Sequence, residues 1–242
     1  MDPLFVGVII AFLYIFITHI FANAYIHNFK YETIRSINSF AIGISTSYLV
    51  LILIPETLIT FDGKIANFSG IAPIVMLLMF TFQFIIHRVL AHQVKKKSIK
   101  ERVLHLVTAS VYHFFLGMLF LTFSKSLNYY ELFLFFTPIF IHGAFSHLTR
   151  HNKNLLKNNV ENNVLVKELK VFNIVAVLAG VFMGSIFNLE FIDISILIAI
   201  VAGNYIYSIF LENMVNKEVI KNRWLLGGQV FYILIYVLTR FF

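Results

Sequence analysis

Long apolar runs, separated by short polar stretches, dominate this chain. They cover Pro3–Ala24, Ser39–Thr60, Ile71–Ala91, Val103–Phe123, Glu131–Thr149, Val171–Phe187, Ile194–Met214 and Trp224–Phe242. Each is close to the roughly 20 residues that a helix needs to cross a bilayer. Buried strands are usually 4–8 residues long, so runs of this length predict helices. Only helices and closed barrels satisfy their backbone groups in lipid, which points the same way. The sixth run is the shortest and is rich in glycine. The pattern predicts an all-α, polytopic membrane protein of eight transmembrane helices. Residues 1–242 would form a single integral membrane domain with no separate soluble part.

The polar positions between the runs set an orientation. Connections 1, 3, 5 and 7 carry all but Lys64, Lys125 and Arg240 of the 19 Lys and Arg. Basic residues collect on the cytoplasmic side, so both termini are expected outside, in the plasma (inner) membrane. The formal charge of +7 then becomes a cytoplasmic girdle facing anionic headgroups, and nucleic acid is not an expected partner. The opening MDPLF has an acid where a signal peptide would be basic, so no cleaved leader is expected. Composition agrees with the span pattern. Hydrophobic residues make up 59% of the chain and charged residues 13%, whereas a soluble domain carries about a quarter charged. The absence of cysteine excludes disulfides and thiolate metal ligands.

Local punctuation refines the helices. Pro138 lies well inside the fifth run, where it frees the Leu134 carbonyl and invites a kink. Gly43, Gly117, Gly180, Gly184, Gly203, Gly227 and Gly228 fall within runs and are expected at close helix contacts. The 150–170 connection is long and rich in Asn, and is expected to be flexible or interfacial. Its tail VLVKELKVF could open the sixth helix amphipathically. No repeat of 20–50 residues is visible in the sequence.

Several runs together resemble the ZIP family of divalent metal transporters. Run 2 ends GISTSYLVLILIPE, similar to the family's glycine, aliphatic stretch and closing Leu-Pro-Glu. VAGNYIYSIFLEN resembles its seventh span, FTFQFIIHRVLAH its third and LLGGQVF its last. The resemblance implies an eight-helix ZIP-like bundle with both ends outside. The departures fall where that family holds metal. In its fourth-span motif His-Asn-x-x-Asp/Glu-Gly, aligned on Gly117, this chain has Tyr112, His113 and Leu116. In the fifth span, IHGAFSH keeps His142 but has Gly143 and Ser146 where acids would stand.

The helix rise of about 1.5 Å per residue places His113 and His142 near mid-depth of their runs. A polar side chain there needs a partner or a task. His113, His142, Ser146, Tyr112 and His147 are the candidate metal-site residues, with Zn²⁺ as the transported ion rather than a resident cofactor. Neutral imidazoles suit Zn²⁺ better than Mg²⁺ or Ca²⁺. The alternative for each histidine is a helix-to-helix hydrogen bond, and His147 also suits an interfacial role. A dication held only by neutral groups is costly, which points to slow transport or none. The expected function is a divergent ZIP-like permease for a divalent transition metal. A transport-inactive member with a regulatory or interaction role is the alternative. Lipid and a metal ion are the partners, and a homodimer is the assembly to look for. No HExxH, DDxxD or Ser/Lys pair suggests an enzyme.

Overall fold

In the computed structural model the described residues are 2–21, 31–58, 71–92, 99–156, 160–186, 194–210 and 220–241. Side chains are described over a narrower set that leaves out 19–21, 31, 58, 87–92, 99–106, 108, 126, 129, 146–156, 160–170 and 240–241. Every regular element among these residues is helical. Helix α1 spans Pro3–Ile15 and runs into a π-helical segment, Phe16–Phe21. Helix α2 spans Tyr31–Tyr48 and continues through a π segment, Leu49–Leu53, and a last turn, Ile54–Leu58. The others are α3 (Ile71–His92), α4 (Ile99–Ser126), α5 (Tyr129–Leu156), α6 (Val160–Ile186), α7 (Ile194–Tyr207) and α8 (Asn222–Phe241).

Each of the eight apolar runs therefore holds one helix, and several helices outrun their runs. The 150–170 connection, expected to be flexible or interfacial, is largely helical, since α5 continues to Leu156 and α6 starts at Val160. Leu, Lys and Glu there are strong helix formers, so the helices carry on where hydrophobicity ends. Among the described residues one apolar helix reaches 18 residues, Glu32–Thr57, and five shorter ones have 10–17.

The chain forms two compact units, each built from non-contiguous segments. The first contains residues 1–11, 53–125 and 161–207; the second contains 12–52, 126–160 and 208–242. In the first unit α3 packs on α7, and α4 packs on α6. A Cβ on Gly203 would meet the Met76 carbonyl of α3. One on Gly117 would meet the Val177 carbonyl of α6, and one on Gly180 the Phe114 carbonyl of α4. Backbone therefore lies directly on backbone at both seams, which only glycine permits. Gln83 of α3 also donates to Asn204 Oδ1 of α7, whose own amide donates to the Ile200 carbonyl at 2.8 Å.

In the second unit α2 packs on α8 and α5, and α5 packs on the π end of α1. Gly43 of α2 lies on the Leu225 carbonyl, and Gly228 of α8 on the Phe40 carbonyl. Two pairings in each unit correspond. Exchanging α2 with α7, α3 with α8, α4 with α5 and α1 with α6 converts the α3–α7 and α4–α6 pairings into α8–α2 and α5–α1, whereas the α2–α5 packing belongs to the second unit's set alone.

The carbonyl that Pro138 frees takes part in a contact between helices. Tyr232 of α8 donates its hydroxyl to the freed Leu134 carbonyl at 3.2 Å, and its ring meets Tyr48 edge-on. Tyr232→Phe keeps the ring but strands this buried carbonyl. Folded-state stability should fall by about 1–2 kcal/mol, measured by thermal unfolding of the purified protein.

Candidate functional site

The two mid-run histidines belong to different units, and each is described in its own surroundings. His113 is buried on α4, in the first unit. Its Nδ1 lies 2.7 Å from the Ala109 carbonyl one turn back. A carbonyl can only accept, so Nδ1 carries the proton. In a neutral ring Nε2 is then the lone-pair nitrogen, which is the usual tautomer of a metal-ligating histidine. The half-buried Tyr112 stands beside it, with ring centroids 5.2 Å apart and nearly perpendicular.

His142 is buried on α5, in the second unit, and sits at a junction of three segments. Its Nδ1 is 3.3 Å from Ser45 Oγ of α2, and its Nε2 is 2.9 Å from Ser208 Oγ just past α7. Ser45 already donates its only hydroxyl proton to the Ala41 carbonyl at 2.8 Å. Ser45 must therefore accept from Nδ1–H. In the neutral ring Nε2 in turn accepts from the Ser208 hydroxyl. The two serines thus set the tautomer of His142 and engage both ring nitrogens.

Of the remaining candidates, Ser146 and His147 lie on the α5 helix, but their side chains fall outside the described residues. Among the described residues no group of three or more His, Cys, Asp and Glu could hold a metal ion. Carboxylates are absent between Glu101 and Glu131 and between Glu131 and Glu161, so none neighbours either histidine along its helix. Sequence reading missed Ser45, Ser208 and Ala109 as partners. Ser45 and Ser208 lie 97 and 66 residues from His142, and no local signal links positions so distant.

Further buried polar groups flank the α4–α6 seam. Ser110 Oγ and Asn173 Oδ1 are buried without a hydrogen-bond partner. Each stands seven residues before a seam glycine, Gly117 or Gly180, and so at the same level of the two helices. Ser110 is unusual, since Ser39, Ser45, Thr46 and Thr122 all donate back to a carbonyl of their own helix. Compared with models of known protein families, with curated proteins and with solved structures, the chain matches none.

Proposed function

We propose that this chain is an eight-span integral membrane protein of ZIP-like architecture, with both termini outside, acting as a permease for a divalent transition metal, Zn²⁺ first. The observation that carries the reading is the correspondence of two helix pairings in each unit, α3–α7 with α8–α2 and α4–α6 with α5–α1. The exchanged helices, α2 with α7, α3 with α8, α4 with α5 and α1 with α6, are odd and even members of the series. If each run crosses the bilayer, exchanged helices run in opposite directions, which makes the correspondence an inverted repeat. Inverted repeats recur in secondary transporters, where two alternative openings arise from one architecture.

Surface composition supports the membrane setting. Large apolar side chains stand outward along α1, α3, α6 and α8, with Phe12 57%, Leu77 62%, Phe182 63% and Leu238 56% exposed. Water would penalise such a surface, whereas acyl chains do not. The tautomer of His113 supports the choice of ion, because an Nε2 lone pair favours Zn²⁺ over Mg²⁺ or Ca²⁺. The missing carboxylates leave a bound dication's charge uncompensated, so turnover should be slow.

One observation favours the transport-inactive alternative, a regulatory or interaction role. Both ring nitrogens of His142 are engaged by serines, so His142 already has a structural task. Uptake into proteoliposomes across a panel of divalent ions separates the readings. The permease should admit Zn²⁺ above the empty-vesicle background, leave Mg²⁺ and Ca²⁺ at background, and lose Zn²⁺ uptake in His113→Ala. Zn²⁺ held at background by folded wild-type protein would reject transport and leave the inactive role.

A further inference from the structure

The N-terminal end of α2 carries two buried hydrogen-bond donors that none of the described residues receives. Arg35 Nε and Asn38 Nδ2 are both buried without a partner. Asn38 is 2% exposed, and the Arg35 side chain 27%. Three residues apart on a helix, they occupy neighbouring positions on one face, with Cβ atoms about 5–6 Å apart. Unmade hydrogen bonds at buried donors are rare in folded proteins, and a charged donor is the least tolerable case. Both groups offer N–H and need an acceptor.

The surrounding charges determine what kind of acceptor suits them. Lys221, just before α8, makes an ion pair with Glu32 Oε2 and donates from Nζ to Ser36 Oγ at 3.0 Å. Its backbone N–H donates to Ser39 Oγ at 2.9 Å, which ties the start of α8 to α2. Glu32 Oε1 lies 3.8 Å from Arg35 Nη1, so one carboxylate is shared by two cations. The cluster of Arg35, Lys221 and Glu32 keeps one net positive charge, and the exposed Arg223 adds another. A neutral acceptor would satisfy the donors but not the charge. An oxyanion satisfies both, and the planar fork of a guanidinium matches a phosphate oxygen pair.

We propose that Arg35 and Asn38 form a binding site for a phosphate oxyanion, supplied by the headgroup of an anionic lipid or by free phosphate. The lipid source rests on the membrane reading given above, and the phosphate chemistry does not. The position agrees with a lipid source, because the distribution of Lys and Arg places this end of α2 on the cytoplasmic side, where anionic headgroups concentrate. Trp224, the sole tryptophan of the chain, is half-exposed one turn into α8. Its backbone N–H donates to the Lys221 carbonyl at 3.0 Å, so Trp224 lies next to the cluster along the chain and serves as a native reporter.

The test follows Trp224 fluorescence of the purified full chain in uncharged detergent. It is titrated separately with phosphatidylglycerol, with diacylglycerol lacking a phosphate, and with inorganic phosphate. Saturable binding of phosphatidylglycerol but not diacylglycerol is expected, weakened about tenfold or more by Arg35→Gln and less by Asn38→Leu. Inorganic phosphate that competes with the lipid, and loses its effect in Arg35→Gln, places the phosphate itself in the site. Saturation by inorganic phosphate alone supports the site with a soluble source and counts against the lipid. Should Arg35→Gln give no folded protein, Arg35→Lys keeps the charge, removes the Nε–H fork and should still weaken binding. Unliganded Asn38→Leu should be as thermally stable as wild type or more so, because it removes an unpartnered donor. Titrations of wild type and the Arg35 variants that coincide, or no response to either phosphate compound, would overturn the proposal.

Discussion

Leucine at position 117 should largely abolish folded protein, and leucine at 203 should do the same. At each position the group in the way is a backbone carbonyl, Val177 or Met76, rather than a side chain that can rotate aside. Relief requires the helices to separate along the seam. At 117 this also loosens the reciprocal contact of Gly180 on Phe114. Overpacking a core with side chains able to adjust costs about 1–3 kcal/mol, and backbone contact should exceed that range. Net stability of about 5–15 kcal/mol leaves little room for such a loss. An internal control lies at the adjacent glycines of α8. A Cβ on Gly228 would strike the Phe40 carbonyl, whereas one on Gly227 would meet only the Phe40 ring, at 3.9 Å. Gly227→Ala should be neutral or stabilising by about 0.5–1 kcal/mol, as for alanine in any helix interior. Gly228→Ala should be damaging. The measurements are monodisperse yield on size exclusion and the midpoint of thermal unfolding. Equal yield for Gly117→Leu and wild type would mean that the α4–α6 seam is not closed as described.

Removing His142 should be the most destabilising of the polar changes. His142→Ala deletes the ring that joins α5 to Ser45 of α2 and Ser208, and leaves a cavity where a buried side chain had been. Truncating a large buried residue costs about 2–5 kcal/mol, and each lost hydrogen bond adds roughly 0.5–1.5 kcal/mol. The proton assignment predicts an asymmetry between the serines. Ser45→Ala removes an acceptor whose own proton is already committed to Ala41, and strands Nδ1–H of the buried ring. Ser208→Ala removes the donor to Nε2 and leaves a lone pair, a milder deficit than a stranded N–H. Thermal midpoints should therefore fall in the order His142→Ala, Ser45→Ala, Ser208→Ala, with the alanine at 142 well separated from the others. If Ser208→Ala matched His142→Ala, the ring would depend on Ser208 rather than on the pair.

The same variants bear on the functional question. If His142 is mainly a junction, its removal should damage folding and metal uptake together. The bond from His113 to Ala109 lies within one helix, so His113→Ala should lose metal uptake at a smaller cost in stability than His142→Ala. That separation is the reason His113 carries the uptake test.

The sequence by itself determined the elements. Eight apolar runs of span length became eight helices, because hydrophobicity sustained over about 20 residues leaves the backbone few alternatives. The distribution of Lys and Arg gave an orientation, and Pro138 identified Leu134 as a carbonyl in need of a partner. Gly43, Gly117, Gly180, Gly203 and Gly228 marked where helices meet backbone to backbone, since close approach needs the absence of a side chain, whereas Gly227, also expected at such a contact, has room for one. What the sequence did not determine was which helix meets which. A helix that is apolar on all sides has no polar face to point its packing face inward, so periodicity cannot name a neighbour. Tertiary structure made those choices. It brought Gly117 to α6 and Gly203 to α3, and set Tyr232 on Leu134 and two serines on His142. The correspondence between the two units likewise lies in helix pairing and left no repeat in the residues. Arg35 was legible only as one of the basic residues between the apolar runs. Its unused Nε–H beside the unused amide of Asn38 emerged once packing had closed around them, because whether a donor is satisfied depends on neighbours distant in the chain.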